Sequence, residues 1–139
     1  MKPRYSKVVY LAGPIHGRSD EECKGWRDAA AETLRLFGHQ VLDPMSRDYR
    51  GREDENADEL VAQDKEEIEI CDTILVNANE PSWGTAMEIL YAISFGKQVI
   101  AFSDAKTISP WLRMHTTAIY QSLSHALAAI NQGSAAGMR

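Results

Sequence analysis

Residues 73–102 read TILVNANEPSWGTAMEILYAISFGKQVIAF and contain two apolar runs separated by a longer segment. The runs TILV (73–76) and VIAF (99–102) are rich in β-branched residues and have the length of buried strands. The segment 84–95 between them is apolar or small almost all round and stops before Gly96, as a helix packed on a sheet does. This order predicts a βαβ unit with two parallel strands.

The same alternation continues on both sides of this unit. Upstream it predicts strands at 7–12 and 40–42 and helices at about 21–37 and 57–71; downstream it predicts a one-turn helix near Pro110, a weak strand at 118–120 and a last helix at 122–131. The apolar residues that recur at helical spacing in the helix at 21–37 are Trp26, Ala29, Ala30, Leu34 and Phe37. We therefore expect an α/β fold: a doubly wound, five-stranded parallel sheet of flavodoxin-like type. Residues 1–132 are expected to form a single catalytic domain, and residues 133–139 a flexible tail.

Composition excludes several classes of function. The chain has 139 residues, a net charge of -5 and 25% charged residues, so a nucleic-acid polymer is not an expected partner. Cys23 and Cys71 lie far apart and lack the spacing of a zinc site, so no metal is expected. The N-terminal apolar run is too short for a signal peptide or a membrane span, which predicts a cytoplasmic protein.

Four loops follow the predicted strands, and ligands bind to open parallel sheets at the carboxyl ends of the strands. These loops are GPIHGRSD (13–20), DPMSRDYRGRED (43–54), NANEPSWG (77–84) and SDAKTISPW (103–111). The first matches neither the dinucleotide fingerprint nor the P-loop, so no cofactor is expected. The polar stretch 43–56 is either a functional loop or a disordered segment.

Glu88 is the one ionisable side chain of the apolar helix at 84–95. A buried carboxylate must have a partner or a function, since burial of an unpaired charge costs several kcal/mol. Glu88 is therefore either catalytic or a structural residue paired with Arg18 or Arg113.

Asp64 is the second unusual carboxylate, because it interrupts an apolar stripe formed by Val61, Ile68 and Cys71. Alone, such an aspartate can simply cap a neighbouring loop. Together, Asp64 and Glu88 match glycosidic bond cleavage, in which one carboxylate attacks the sugar carbon and another acidic group assists the leaving group.

Several loop residues can contact a ligand or serve only the local structure. His16 and Arg18 either bind a sugar or phosphate or remain solvated in a tight turn, and Ser82 is either an N-cap or a ligand contact. Three aromatic residues either stack on a base or pack locally: Tyr49, Trp83 and Trp111.

Three segments together resemble the nucleoside 2-deoxyribosyltransferase superfamily over most of the chain: YLAGPIHGR (10–18), AQDKEEIEICDTILV (62–76) and EPSWGTAMEILYAISFGKQVI (80–100). The superfamily includes transferases that exchange bases on 2′-deoxyribose and hydrolases that remove the base from 2′-deoxynucleoside 5′-monophosphates. Its GxxxE–YA signature corresponds to Gly84, Glu88, Tyr91 and Ala92.

The resemblance implies a catalytic role for three residues. Glu88 corresponds to the nucleophile that forms a glycosyl-enzyme, Asp64 to the carboxylate that assists at the base, and Tyr10 to a tyrosine that orients the nucleophile.

The resemblance also implies a substrate pocket. In the hydrolase branch, serines at the positions of Ser82 and Ser109 bind the 5′-phosphate, the latter from a neighbouring subunit, and the first loop adds a backbone cradle and an arginine. His16 replaces that arginine here, and Arg18 follows two positions later. The implied substrate-binding residues are Gly13, Ile15, His16, Gly17, Arg18, Tyr49, Ser82, Gly84 and Ser109.

The resulting hypothesis is a retaining N-glycosyl enzyme, first a nucleoside 2-deoxyribosyltransferase and alternatively a 2′-deoxynucleoside 5′-monophosphate N-hydrolase. An inactive nucleotide-binding module is the further alternative. The expected partners are a small nucleoside or nucleotide and a free base, with no membrane involved. A homodimer or higher homo-oligomer with a shared active site is expected as well.

Overall fold

A computed structural model describes residues 6–132, which contain a five-stranded, all-parallel sheet. The strands are β1 (Val8–Ala12), β2 (Gln40–Leu42), β3 (Thr73–Asn77), β4 (Gln98–Phe102) and β5 (Ala118–Tyr120). Their order is β2-β1-β3-β4-β5, which confirms the doubly wound, flavodoxin-like fold. The tail predicted at 133–139 lies outside the described residues.

Within residues 6–132, four α-helices connect the strands and a fifth follows β5. They are α1 (Trp26–Leu36), α2 (Ala57–Ile70), α3 (Trp83–Ser94), α4 (Pro110–Met114) and α5 (Leu123–Asn131). A π-helical turn (Glu21–Gly25) leads into α1, and a short 3-10 turn (Pro44–Ser46) follows β2. Within the described chain, no helix has both the length and the apolar content to cross a bilayer.

Alternate residues of β1 divide the core into two layers. Val9 and Leu11 pack with Leu34 of α1 and Ile130 of α5 on one face of the sheet. Tyr10 and Ala12 point to the other face, where the core includes Ile68 of α2 and Ile89 of α3. The period of two along a strand therefore aims Tyr10 at α2 and α3.

The strand order places β1 beside β3, with Tyr10 paired to Ile74 in register. The helix that follows β1 packs on one face of the sheet, whereas the helix that follows β3 packs on the other. The chain thus leaves these two neighbouring strands in opposite directions and opens a crevice at their carboxyl ends. This crevice is where a ligand is expected in such folds.

Two predicted helix faces were partly wrong. Ala29 in α1 and Phe37 directly after it are exposed, and the fully buried side chain at the start of the helix is Arg27. In α2, Val61 is 46% exposed, so the core-facing stripe is narrower than expected and Asp64 lies at its edge. Helical periodicity located both helices, but the exact rotation of each helix depends on what packs against it.

The loop 43–56 has a defined conformation rather than the disorder considered as its alternative. Its 3-10 turn is capped by Asp43, whose Oδ1 accepts a hydrogen bond from the Met45 amide at 2.9 Å. Arg50 then binds Asp48 at 2.7 Å and Asp20 at 2.6 Å, and donates to the Arg18 carbonyl at 3.1 Å. These contacts hold the loop beside the first loop, at the carboxyl end of β1.

Candidate active site

Tyr10 and Glu88 meet beneath the carboxyl end of the sheet. Tyr10 lies on β1 with its side chain fully buried, and its hydroxyl donates a hydrogen bond to Glu88 Oε2 at 2.6 Å. Glu88 lies in the second turn of α3, which begins directly after the loop that follows β3. Because β1 and β3 are neighbours, the face of β1 that carries Tyr10 comes against the first turns of α3.

The start of α3 is set by Ser82. The Ser82 hydroxyl accepts a hydrogen bond from the Thr85 amide at 3.4 Å, so Ser82 is the N-cap of the helix. This observation bears out the N-cap interpretation of Ser82 and is compatible with a further hydrogen bond from its hydroxyl to a ligand.

Asp64 approaches the same site from α2. Its half-buried carboxylate lies 3.1 Å from Arg47 Nη2 and is close enough to Glu88 for the two charges to repel each other. The structure therefore brings the three predicted catalytic residues together, from β1, α2 and α3.

Burial and mutual repulsion shape the protonation of this site. Burial, followed by the nearby Asp64 charge, raises the pKa of Glu88 from 4.5 to about 8, although the hydrogen bond from Tyr10 and the charge of Arg27 oppose the increase. Burial also raises the pKa of Asp64, and the bonded Arg47 opposes that effect. The pKa of Tyr10 is raised well above 10.0, first by burial and then by the two carboxylates, so Tyr10 remains a donor.

Glu88 does not have the ion-pair partner considered for a structural role. Arg18 contacts Glu80 and lies 3.6 Å from Glu22, and Arg113 is exposed on α4. Among the described residues, no salt bridge involves Glu88. The hydroxyl of Tyr10 is its polar partner.

The first loop turns tightly around Ile15, whose carbonyl accepts from the Arg18 amide at 3.0 Å. Gly17 has a φ of +74°, a conformation that favours glycine. His16 Nδ1 lies 3.0 Å from Glu53 Oε2, so both basic side chains of the loop are paired with carboxylates.

A cleft at the crevice is lined by Pro14, Arg18, Glu22, Asn77, Asn79 and Glu80. Tyr10, Asp64 and Glu88 are not among its lining residues. In the part of the chain that the structure describes, no group of three or more His, Cys, Asp or Glu side chains is arranged to hold a metal ion.

Two other predicted contacts, Tyr49 and Ser109, have hydrogen-bond partners other than Glu88, and a third, Gly84, lies one turn before Glu88 on α3. Tyr49 packs on α2, where its hydroxyl binds Glu59 and lies 3.3 Å from Gln63. Ser109 caps α4 by accepting from the Trp111 amide at 3.2 Å and is exposed. Gly84 is exposed at the start of α3.

Two arginines near the site were not predicted from the sequence. Buried Arg27 donates to the carbonyls of Gly13 at 2.9 Å and Cys23 at 2.8 Å. Its signal was present, because Arg27 shares a helical stripe with buried Ala30 and Leu34. Arg47 had no such signal, since it lies in a loop without periodicity and contacts α2 only through the tertiary fold.

Comparisons with known proteins agree with this architecture. A 2-deoxyribosyltransferase from Bacillus psychrosaccharolyticus has 23% identity and a TM-score of 0.71, covering 94% of this chain and 94% of its own. A CMP N-glycosidase from Clostridium botulinum has 20% identity and a TM-score of 0.63, covering 89% of this chain and 98% of its own. A conserved protein from Enterococcus faecalis V583 has 14% identity and a TM-score of 0.70, with 92% and 99% covered.

No curated protein matches the chain in sequence. The sequence profile described as nucleoside 2-deoxyribosyltransferase, however, matches residues 9–131, from β1 to the end of α5. This match covers all five helices and, apart from Val8, all five strands, and it indicates an enzyme of the deoxyribosyltransferase or N-glycosidase type. The chain belongs to the nucleoside 2-deoxyribosyltransferase family.

Proposed function

We propose that this protein is a nucleoside 2-deoxyribosyltransferase that cleaves the N-glycosidic bond of a 2′-deoxynucleoside with retention, using Glu88 as the nucleophile. The observation that carries the proposal is the meeting of Tyr10, Asp64 and Glu88 from three separate elements. A structural role alone does not account for two inward carboxylates that repel each other, since such a pair costs folding free energy.

The proposed reaction has two displacements at the anomeric carbon. A Glu88 oxygen bonds to C1′ while the bond from C1′ to the base nitrogen breaks, and the departing electron pair remains on the base, which takes up a proton. A second base then attacks C1′ of the glycosyl-enzyme, gives its N–H proton to the Asp64 carboxylate and releases the Glu88 carboxylate. Two inversions at C1′ give net retention.

One proton shared by Glu88 and Asp64 determines the reactive form. Glu88 attacks only as a carboxylate, whereas protonated Asp64 can donate to the leaving base. Burial raises the pKa of both groups and the Asp64 charge raises that of Glu88 further, so the pair retains one proton near neutral pH, held on Glu88 in the free enzyme. This proton must move to Asp64 before Glu88 attacks. The donated Tyr10 hydrogen bond stabilises the anionic form of Glu88.

The charges of the first loop favour a nucleoside over its 5′-monophosphate. Arg18 is neutralised by Glu80 and Glu22, and His16 faces Glu53. A cleft that already holds two carboxylates beside its one guanidinium offers little attraction to a phosphate dianion.

The alternative is a 2′-deoxynucleoside 5′-monophosphate N-hydrolase. It is supported by Ser82 and Ser109, which correspond in sequence to the phosphate-binding serines of the hydrolase branch. The fold is also similar to that of a CMP N-glycosidase.

We also propose that the protein forms a homodimer or higher oligomer in which Ser109 of the partner subunit completes the site. Large apolar side chains are exposed on α3 and α4, among them Trp83 (86%), Trp111 (77%) and Met114 (78%). Both helices lie on the same sheet face, because Leu112 of α4 packs against the core that contains Ile89 of α3. Exposed apolar side chains on one sheet face are typical of a subunit interface.

Chromatographic product analysis tests the proposed reaction. Deoxynucleosides and deoxynucleoside 5′-monophosphates are incubated with and without a second free base. We expect a new nucleoside only when the acceptor base is present, and Glu88→Ala to reduce its formation by at least about 10³-fold. Glu66→Gln is the control, since Glu66 is an exposed carboxylate of α2.

Free base released from a monophosphate without an acceptor would instead establish the hydrolase. Near-normal turnover by Glu88→Ala would contradict the mechanism. If no substrate is converted, the inactive nucleotide-binding module becomes the better description.

A further inference from the structure

Arg47 joins the proposed catalytic aspartate to a second carboxylate on the same helix. It follows the 3-10 turn after β2, and its guanidinium donates from Nη1 to Glu67 Oε2 at 2.7 Å and from Nη2 to Glu67 Oε1 at 3.0 Å. The same Nη2 donates to Asp64 Oδ1 at 3.1 Å. Asp64 and Glu67 are three residues apart in α2 and therefore share one face of the helix.

The fork geometry is specific to arginine. A planar guanidinium can donate to both Glu67 oxygens and to Asp64 in one orientation, whereas a lysine ammonium is a point charge on a flexible stem. All three side chains are half-buried, so water screens these contacts less than it screens exposed pairs. The half-buried fork thus ties the loop 43–56 to the Asp64 carboxylate.

The charged groups around Asp64 come from four elements. Tyr10 faces it from β1, Glu67 from α2, Glu88 from α3, and Arg47 from the loop after β2. Arg27, from α1, adds a positive charge on the Glu88 side of the pair. Arg47 is thus the cation in direct contact with Asp64, and Glu67 is the anion beside it.

We propose that Arg47 is a positioning residue that holds Asp64 beside the Tyr10–Glu88 pair and sets the pH range in which the two carboxylates share one proton. This inference rests on the proposed function of Asp64 and Glu88. It gives the loop 43–56 a part in the reaction that is separate from substrate contact.

The direction of the effect follows from charge. A cation in contact with a carboxyl group lowers its pKa by about 1 to 3, so loss of Arg47 raises the pKa of Asp64 and, at longer range, that of Glu88. Loss of the Glu67 charge has the opposite effect, because a neighbouring anion raises the pKa of Asp64. Neutral substitutions of Arg47 and of Glu67 therefore shift the pKa of Asp64 in opposite directions.

The pH dependence of kcat/KM tests this inference with Arg47→Gln, Arg47→Lys and Glu67→Gln. For Arg47→Gln we expect both limbs of the pH profile to move to higher pH, and the limb governed by Asp64 to move by about one pH unit or more. We also expect kcat to fall about 10-fold. Arg47→Lys retains the charge and should keep the limbs near their original pH while kcat falls. Glu67→Gln should move the limbs to lower pH.

A titration that does not need turnover separates this inference from the proposed function. Carboxyl ¹³C NMR of the unsubstituted protein and the same variants follows Asp64 and Glu88 directly. If the protein cleaves no nucleoside, the proposed function fails, while movement of the Asp64 titration in Arg47→Gln still supports the electrostatic role of Arg47. The inference would be wrong if the variants changed neither the pH profile of kcat/KM nor the NMR titrations of Asp64 and Glu88, even if the enzyme is active.

Circular dichroism first establishes that each variant is folded. If Arg47→Gln does not fold, Glu67→Gln and Arg47→Lys provide the test, because the former must move the Asp64 titration to lower pH and the latter must leave it in place. Equal movement in both variants would contradict a charge effect.

Discussion

Glu88 lowers the stability of the folded protein, although the proposed reaction requires it. Its side chain is half-buried, has a hydroxyl rather than a cation as its bonded partner, and is repelled by Asp64. The protonated form is therefore favoured in the folded protein, and ionisation of Glu88 costs folding free energy. The proposed nucleophile is reactive for the same reason, since a buried carboxylate is poorly solvated.

This cost makes the stability contribution of Glu88 depend on pH. The pKa is about 8 in the folded protein and 4.5 for an unperturbed glutamate. Between these values the unfolded chain has released the proton and the folded protein still holds it, so stability falls as pH rises. We expect Glu88→Gln to be similar in stability to the unsubstituted protein near pH 5 and more stable by over about 1 kcal/mol at pH 8.

Urea unfolding at pH 5, 6.5 and 8 measures this difference. The glutamine side chain keeps an oxygen to accept the Tyr10 hydrogen bond, so the comparison isolates the charge. Glu66→Gln, on the exposed side of α2, should show no such increase between pH 5 and 8. A constant difference across the three pH values would contradict the raised pKa of Glu88.

The end of β1 depends on close packing between a strand, a loop and a helix. A Cβ atom at Gly13 would lie 2.9 Å from the Trp26 ring and 3.2 Å from Asn77 Cβ. The Gly13 carbonyl also accepts the buried Arg27 hydrogen bond. β1, β3 and α1 are thus held together at the crevice by a residue without a side chain.

Gly13→Ala should therefore destabilise the protein by about 1 to 3 kcal/mol, the usual cost of overpacking. Gly84→Ala is the matched substitution, because no atom lies within 4 Å of a Cβ built there and alanine favours a helix by about 0.5 to 1 kcal/mol. Thermal and urea unfolding of both variants compare the two sites. Equal free energies of unfolding for Gly13→Ala and Gly84→Ala would show that the atoms around Gly13 accommodate a Cβ atom without destabilising the protein.

In the whole protein, the apolar surface of α3 and α4 contrasts with a net charge of -5. The sequence predicts α3 as a helix that is apolar almost all round and packed on a sheet. In the structure, its buried residues are Thr85, Ile89 and Ala92, while Met87 and Leu90 are exposed. An oligomer would cover this surface and bring Ser109 of the partner subunit toward the site.

Sedimentation at micromolar concentration tests the proposed assembly. We expect the unsubstituted protein to be at least a dimer and Met114→Asp to shift it towards monomers, because a buried unpaired charge costs several kcal/mol. Leu36→Asp is the control, since Leu36 is an exposed apolar residue of α1 on the other sheet face. If the unsubstituted protein sediments as a monomer, the proposal of a shared site is wrong, and the active site must be complete within one subunit.

The strands, the helix order and the unusual position of Glu88 were all available from local patterns. Strands of period two and helices of period 3.6 can be identified within about ten residues of sequence. A carboxylate in an apolar helix can likewise be identified without knowledge of the fold. The same local patterns misassigned Val61 and Ala29, since the rotation of a helix about its axis depends on its neighbours.

Contacts between distant residues had a different origin. The hydrogen bond from Tyr10 to Glu88 joins residues 78 positions apart in sequence. It depends on the β1–β3 register together with the packing of α3. The Arg47 fork likewise arises only when the loop after β2 closes on α2. Periodicity therefore specifies which face of an element is apolar, whereas the pairing of polar groups and their pKa values depends on the three-dimensional arrangement of those faces.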